Sequence, residues 1–255
     1  MKGHGKGGKA TMDFLSRIGK ILWLDFWLGL ATLTLFAPVT VSAFLDSTGN
    51  LAFSLSKVWA WIMLKVTGVR PGIRGREKIR KGQSYIIIAN HQSHFDPLAL
   101  VTTLRIQFRW IAKKELLKVP LFGHALYASR NIFIDRSDKK KSITSIHEGM
   151  NRLPAGVSIL FFAEGTRSPD GKIQEFRKGG FVTAIEKGLP MLPVTINGSR
   201  KVLPKGSTVF YPGPIEVVVG DPIEGGNYTA DTVRELVKKT RDTIISNFNP
   251  DYPGT

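Results

Sequence analysis

The sequence predicts an α/β fold: a mixed central sheet flanked by helices and preceded by an N-terminal helical hairpin. Three observations carry that expectation. Two long apolar segments, Ile21–Leu45 and Leu51–Val66, are separated only by the turn-like Asp-Ser-Thr-Gly-Asn at 46–50. Beyond Gly68, Pro71 and Gly72, short apolar runs alternate with helix-patterned stretches, which is how a sheet covered by helices reads. Within that region Val157–Phe162, Val-Ser-Ile-Leu-Phe-Phe, is almost continuously apolar, as a strand buried on both faces should be. A boundary follows between residues 1–67, a basic tail with the hairpin, and residues 68–255, the α/β domain that holds the chemistry.

The opening Met-Lys-Gly-His-Gly-Lys-Gly-Gly-Lys-Ala is rich in Gly and Lys without periodicity and reads as a mobile basic tail. The apolar stretch after it admits three readings. A signal peptide fits the basic start and the Val41-Ser42-Ala43 site, but Asp25 interrupts the apolar run. A single spanning helix fits by length, since about 24 residues at 1.5 Å each exceed a ~30 Å hydrocarbon core. Asp25 and Pro38 sit poorly in such a span.

The third reading, a hairpin inserted into one face of a bilayer, is favoured by the flanks. Lys2, Lys6, Lys9, Arg17 and Lys20 precede the first segment, and Lys65, Arg70, Arg74, Arg76 and Lys78 follow the second. Basic flanks mark the cytoplasmic side, so both ends belong there. The second segment, roughly 24 Å at helical rise, is too short to cross. Trp23, Trp27, Trp59 and Trp61 suit a bilayer interface better than two ordinary core helices would require. The hairpin is therefore expected to be membrane-associated, monotopic or peripheral, on the cytoplasmic face of the cytoplasmic membrane.

In the α/β region the apolar patterns predict strands at Tyr85–Ala89, Phe108–Ala112, Ile132–Asp135, Val157–Phe162, Met191–Ile196, Thr208–Tyr211 and Ile215–Val219. Helices are expected at Pro97–Leu104, Leu121–Ser129, Lys140–Arg152, Gly179–Lys187 and Thr229–Asn247.

Composition narrows the chemistry. With 36 Lys and Arg against 20 Asp and Glu, the net charge of +16 attracts nucleic acid, anionic lipid or phosphorylated substrates. The tryptophans sit mostly in the apolar N-terminal segments rather than interleaved with basic residues, which favours lipid over nucleic acid. No cysteine is present, so disulfides, thiolate metal sites and cysteine nucleophiles are excluded. No Gly-x-Ser-x-Gly elbow supports Ser93, Thr166 or Ser168 as a covalent nucleophile.

Two constellations carry chemistry. Tyr-Ile-Ile-Ile-Ala-Asn-His-Gln-Ser-His-Phe-Asp-Pro at 85–97 reads strand, loop, helix, with Asp96 and Pro97 as N-cap and first helical residue. By spacing alone Asp96 is a helix cap. Because a loop intervenes, its carboxylate can also fold back onto a histidine and fix the tautomer of a general base; His91 and His94 are both within reach. The second constellation is Ala163-Glu164-Gly165-Thr166-Arg167-Ser168 at the end of the Val157–Phe162 strand, where a guanidinium suits phosphate oxygens. Phe176-Arg177-Lys178-Gly179-Gly180 adds cations, and Lys113-Lys114 and Asp135-Arg136 end two more strands with positive charge.

His91-x4-Asp96, Ile132–Arg136, Phe162–Ser168 and Leu192-Pro193-Val194-Thr195-Ile196 occur in that order. The set resembles the four blocks of the glycerolipid acyltransferase family, in particular its bacterial 1-acylglycerol-3-phosphate acyltransferases. Lys-Lys-Glu-Leu-Leu-Lys-Val-Pro-Leu-Phe-Gly at 113–123 and Gly-Asp-Pro-Ile at 220–223 are similar to that family's intervening text. The resemblance runs from about Gly68 to Ile223. One departure is Ala163, where the third block usually has proline; Glu164 and Arg167 are intact, so the expected consequence is altered loop rigidity.

The resemblance implies an acyltransferase moving a fatty acyl group from acyl-CoA or acyl-ACP (acyl carrier protein) to the sn-2 hydroxyl of lysophosphatidic acid. His91 would be the base and Asp96 its orienting partner. Lys113, Arg136, Glu164, Gly165, Thr166 and Arg167 would bind the substrate, and Pro193 would shape the donor or lipid-facing side. No metal or bound cofactor is implied. Partners would be lysophosphatidic acid, the thioester donor and an anionic membrane surface, with no nucleic acid. Glycerol 3-phosphate or another lysophospholipid is the alternative acceptor, and a non-catalytic basic membrane-binding protein is the alternative class.

Overall fold

The computed structural model describes residues 5–135 and 137–253. Helix α1 spans Gly5–Leu45 and helix α2 spans Asn50–Val66. They run antiparallel, since Trp23 Nε1 donates to Val66 O at 2.8 Å and Trp59 Nε1 to Thr32 Oγ1 at 3.1 Å. Asp46 makes the turn between them, one carboxylate oxygen accepting from Thr48 N at 2.9 Å and the other from Leu51 N at 2.8 Å. Gly49 completes it at φ 74°, where a Cβ would lie 2.7 Å from Arg130 Cγ. The expected hairpin is present, with a longer first arm. Residues 5–10 of the expected mobile tail are helical, because extending a formed helix costs far less than nucleating one. Residues 1–4 lie outside the described residues. Pro38 does not end α1: it sits on an exposed face, where the lost backbone hydrogen bond is least costly.

Among the described residues seven strands form one sheet: β1 (Val69–Arg74), β2 (Ile86–Ala89), β3 (Phe108–Lys113), β4 (Ile132–Ile134), β5 (Ser158–Phe162), β6 (Met191–Asn197) and β7 (Gly213–Val219). Their order is β1-β7-β6-β2-β5-β3-β4, and every neighbouring pair is parallel except β6–β7, so the sheet is mixed as expected. Two strand expectations need correction. β1 reads as a boundary because Pro71 and Gly72 punctuate it, yet among the described residues it pairs with β7 alone, and an edge strand tolerates proline. Thr208–Tyr211 is not a strand: its apolar pattern reflects Phe210, buried in the core, and Tyr211 N is tied to Val202 O at 2.8 Å.

The helices that follow are α3 (Phe95–Thr103), α4 (Phe122–Ala128), α5 (Lys139–Asn151), α6 (Gly179–Lys187), a short α7 (Ser199–Val202) and α8 (Val233–Ser246). Alternation along β2 divides the core into two layers. Tyr85, Ile87 and Ala89 join Phe53, Ala60 and Leu64 of α2 and Leu100 of α3. Ile86 and Ile88 join Phe181 of α6 and Leu236 and Ile244 of α8 on the other face. Each large side chain so buried stabilises the fold by roughly 1.5–3 kcal/mol, so α2 is part of the main core.

Arg109 locks the hairpin turn to β3. It is fully buried, and its guanidinium donates to Thr48 O at 3.0 Å and Asn50 Oδ1 at 2.6 Å. Burial lowers its pKa to about 10, still well above neutrality. Arg109→Met removes these donors and leaves partly buried acceptors unpaired. The expected loss is about 2–3 kcal/mol of stability, read from the midpoint of denaturant unfolding in detergent; an unchanged midpoint would contradict the lock.

Candidate active site

Because β6, β2, β5, β3 and β4 are mutually parallel, their carboxyl ends share one edge of the sheet, where open α/β sheets place ligands. The loop leaving β2 is pinned there by its own side chains. Asn90 donates from Nδ2 to Ile196 O at 3.0 Å and accepts from Ile196 N at 2.7 Å, standing in for a missing ladder pair with β6. Ser93 Oγ donates to Leu203 O at 2.8 Å.

His91 follows directly. Its Nδ1 lies 2.7 Å from Asp96 Oδ2, and the same oxygen accepts from Gln92 N at 2.6 Å and Ser93 N at 2.8 Å. Asp96 is fully buried, whereas the His91 side chain is 17% exposed. A carboxylate only accepts, so Nδ1 carries the imidazole proton and Nε2 keeps its lone pair. The His91 ring stacks on Phe162, with centroids 3.9 Å apart and planes at 12°. Phe162 in turn stacks on Trp110 at 5.8 Å and 17°.

The expected capping differs in detail. Helix α3 begins at Phe95 with His94 as its N-cap, so Asp96 lies in the first turn. Its carboxylate turns back to the loop amides of residues 92 and 93, because the loop curls over it before the helix starts. That carboxylate contacts His91, which resolves the geometric choice that spacing left open. His94 is exposed, and desolvation, the Arg167 guanidinium and His91 push its pKa down.

Glu164, at the end of β5, lies beneath this loop. It is almost fully buried, with Oε1 accepting from His91 N at 2.6 Å and Oε2 from Gln174 N at 3.0 Å. Both oxygens are engaged with backbone, so the carboxylate fixes the backbone at His91 instead of facing a ligand. Burial raises its pKa, partly offset by the two amide donors. Ser168 N completes the brace by donating to His91 O at 2.8 Å.

Gly165 has φ 73°, and a Cβ there would lie 2.5 Å from Arg177 Nε, so glycine allows Arg177 to pack over the turn. Thr166 is exposed and Arg167 partly so; among the described residues no carboxylate pairs with Arg167. Lys113 ends β3 one strand farther on, exposed and 3.6 Å from Glu115. Lys114 is committed to an ion pair with Asp135, which holds that carboxyl well below its usual range. Arg136 lies outside the described residues. Pro193 is buried in β6, just before the β6–β7 ladder begins, and not on an open face.

The edge thus joins His91, Asp96, Glu164, Gly165 and Arg167, with Lys113 more distant. Sequence reasoning passed over Asn90, Phe162, Trp110 and Gln174. Phe162 and Trp110 were legible only as strand aromatics, since a ring stack depends on the β5–β3 pairing. An apolar crevice lined by Leu35, Phe36, Trp59, Trp110 and Phe122 lies between the hairpin, α4 and the sheet, and shares Trp110 with that stack.

Residues 70–197 match the family model described as Acyltransferase. The chain is 34% identical over 177 residues to a 1-acyl-sn-glycerol-3-phosphate acyltransferase of Pseudomonas aeruginosa, covering 69% of this chain and 68% of that one. It is 30% identical over 197 residues to a chloroplastic enzyme of the same name from Brassica napus, covering 76% of this chain but only 55% of the plant protein. Among solved structures, the 1-acyl-sn-glycerophosphate (LPA) acyltransferase PlsC of Thermotoga maritima superposes with a TM-score of 0.78 at 25% identity, covering 90% of this chain and 93% of that one.

Proposed function

The chain belongs to the acyltransferase family, and from that membership we propose that it transfers a fatty acyl group from a thioester to the sn-2 hydroxyl of lysophosphatidic acid. The observation that carries this reading is the His91–Asp96 pair at 2.7 Å, beside an Arg167 with no carboxylate partner among the described residues.

In this mechanism His91 Nε2 takes the hydroxyl proton as the acceptor oxygen attacks the thioester carbonyl. The tetrahedral intermediate collapses, the C–S bond breaks, and the departing thiolate recovers the proton from His91. Asp96 holds the ring in the productive tautomer and stabilises the imidazolium while it lasts. Glu164 and Ser168 act on the backbone of His91, as positioning residues. Arg167, with Arg177 over Gly165 and Lys113 farther along the edge, binds the phosphate, and Arg136 joins them in this reading. Direct transfer of this kind requires neither metal nor bound cofactor.

The hairpin supplies the lipid. One described helix segment, Thr11–Leu45, is long and apolar enough to cross a membrane, and only 17% of its most apolar window is buried in the protein. We read α1 and α2 as lying in one leaflet on the cytoplasmic side, with basic flanks against anionic headgroups. The crevice at Trp110 then offers an acyl chain an apolar path from the bilayer toward His91.

A phosphomonoester carries two charges and rewards clustered guanidinium groups more than a zwitterionic headgroup does. Measured kcat/KM should therefore be at least ~10-fold higher for lysophosphatidic acid than for lysophosphatidylcholine. It should also be higher than for glycerol 3-phosphate, which has the same phosphate but no acyl chain to bury in the apolar crevice. Equal rates on all three acceptors would contradict the assignment.

A further inference from the structure

A second cavity, of about 580 Å³, opens beside the same edge of the sheet without His91 or Phe162 in its lining. Its walls include Ile173, Ile196, Ile245 and Phe248. Gln92, the residue after the proposed base, also lines it. Gln92 is 1% exposed, and neither its Nε2 nor its Oε1 has a hydrogen-bond partner among the described residues. Buried polar groups without a partner are uncommon in folded proteins. This volume lies in the range of small-molecule and cofactor sites.

The chemistry of that amide narrows the ligand. A carboxamide presents a donor and an acceptor side by side in one plane. Adenine answers both, with an N7 acceptor next to an N6 donor. Apolar walls suit a flat purine. Positive charge is also at hand: Lys172, Arg200 and Lys201 all line the cavity. Arg200 is held by Ser168 O at 3.2 Å and Pro169 O at 3.0 Å, and Lys201 by Asp251 O at 3.2 Å, which orients both cations without neutralising them. On the lining carboxylate, Asp170, Oδ1 accepts from Ser168 Oγ, Lys172 N and Gln174 Nε2.

We propose that this cavity holds the adenine nucleotide end of a coenzyme A thioester. The inference rests on the acyl-transfer reading and adds the identity of the donor. Two consecutive residues serve the two ends of one molecule. His91 packs on Phe162 and meets the thioester, Gln92 lines the cavity and meets the adenine, and the pantetheine arm joins them.

The test uses the full-length protein in detergent and 3′-phosphoadenosine 5′-diphosphate, the nucleotide portion of coenzyme A, as probe. Calorimetry should show saturable binding that acyl-CoA competes away, and the guanine counterpart should bind at least ~10-fold more weakly, the scale of one bidentate base contact. Gln92→Leu should lose that base preference together with affinity. Lys172→Glu, on an exposed loop, should weaken both nucleotides alike and keep the preference. Absence of nucleotide binding to the wild type overturns the proposal. So does a base preference that survives Gln92→Leu, or binding equal for both bases. Phosphatidic acid formation by the wild type is scored separately. Transfer without selective nucleotide binding removes the cavity assignment alone, whereas selective binding without transfer removes the acyltransferase reading and leaves the nucleotide site.

Discussion

His91→Ala is expected to lower phosphatidic acid formation by roughly 10²- to 10⁴-fold, the range that positioned acid–base groups contribute. The loss should fall on kcat, because the ring is assigned to proton transfer and not to holding the phosphate. Folding should survive. Asp96 keeps the amides of Gln92 and Ser93 on Oδ2, and the backbone at residue 91 keeps Glu164 and Ser168. A melting temperature within a few degrees of wild type would show that the defect is chemical. His94→Ala is the control, since His94 is exposed and Asp96 contacts the other imidazole. Comparable losses in the two variants would count against the assignment of the base.

The second large effect concerns the hairpin. Leu22, Phe26 and Leu33 are 63%, 59% and 65% exposed on α1, at spacings that put them on one face. Trp23, Leu30, Val41 and Phe44 extend a surface too apolar for water. Introducing Glu at 22, 26 and 33 together should cut sedimentation with anionic liposomes at least ~100-fold, given roughly 1.5–3 kcal/mol for each large apolar side chain transferred from water. These side chains point away from the core, so solubility without detergent should improve and the unfolding midpoint should stay put. Undiminished liposome binding would show that the basic flanks, and not the apolar face, hold the protein at the membrane.

Much of this was legible before the structure. The alternation of apolar runs located six of the seven strands, because helices cover both faces of the sheet and most of the strand side chains they meet are apolar. β1 was hidden by Pro71 and Gly72, whose tolerance depends on an edge position that no local pattern reveals. The His91–Asp96 contact was readable as a possibility from loop spacing, and the motif order pointed to His91. Where the carboxylate of Glu164 goes was not readable. An acidic residue inside an apparent phosphate motif gives no sign that two amides, at 91 and 174, consume it. The ring stack was equally hidden, since His91, Phe162 and Trp110 meet only through the β2–β5–β3 order.

The most direct measurement uses the purified full-length chain in liposomes with lysophosphatidic acid and acyl-CoA, following phosphatidic acid by mass spectrometry and free thiol by colorimetry. The expected result is one phosphatidic acid for each thiol released by the wild type, with both signals lost together in His91→Ala. Thiol release without phosphatidic acid, or phosphatidic acid formation that persists in His91→Ala, would contradict acyl transfer through this histidine.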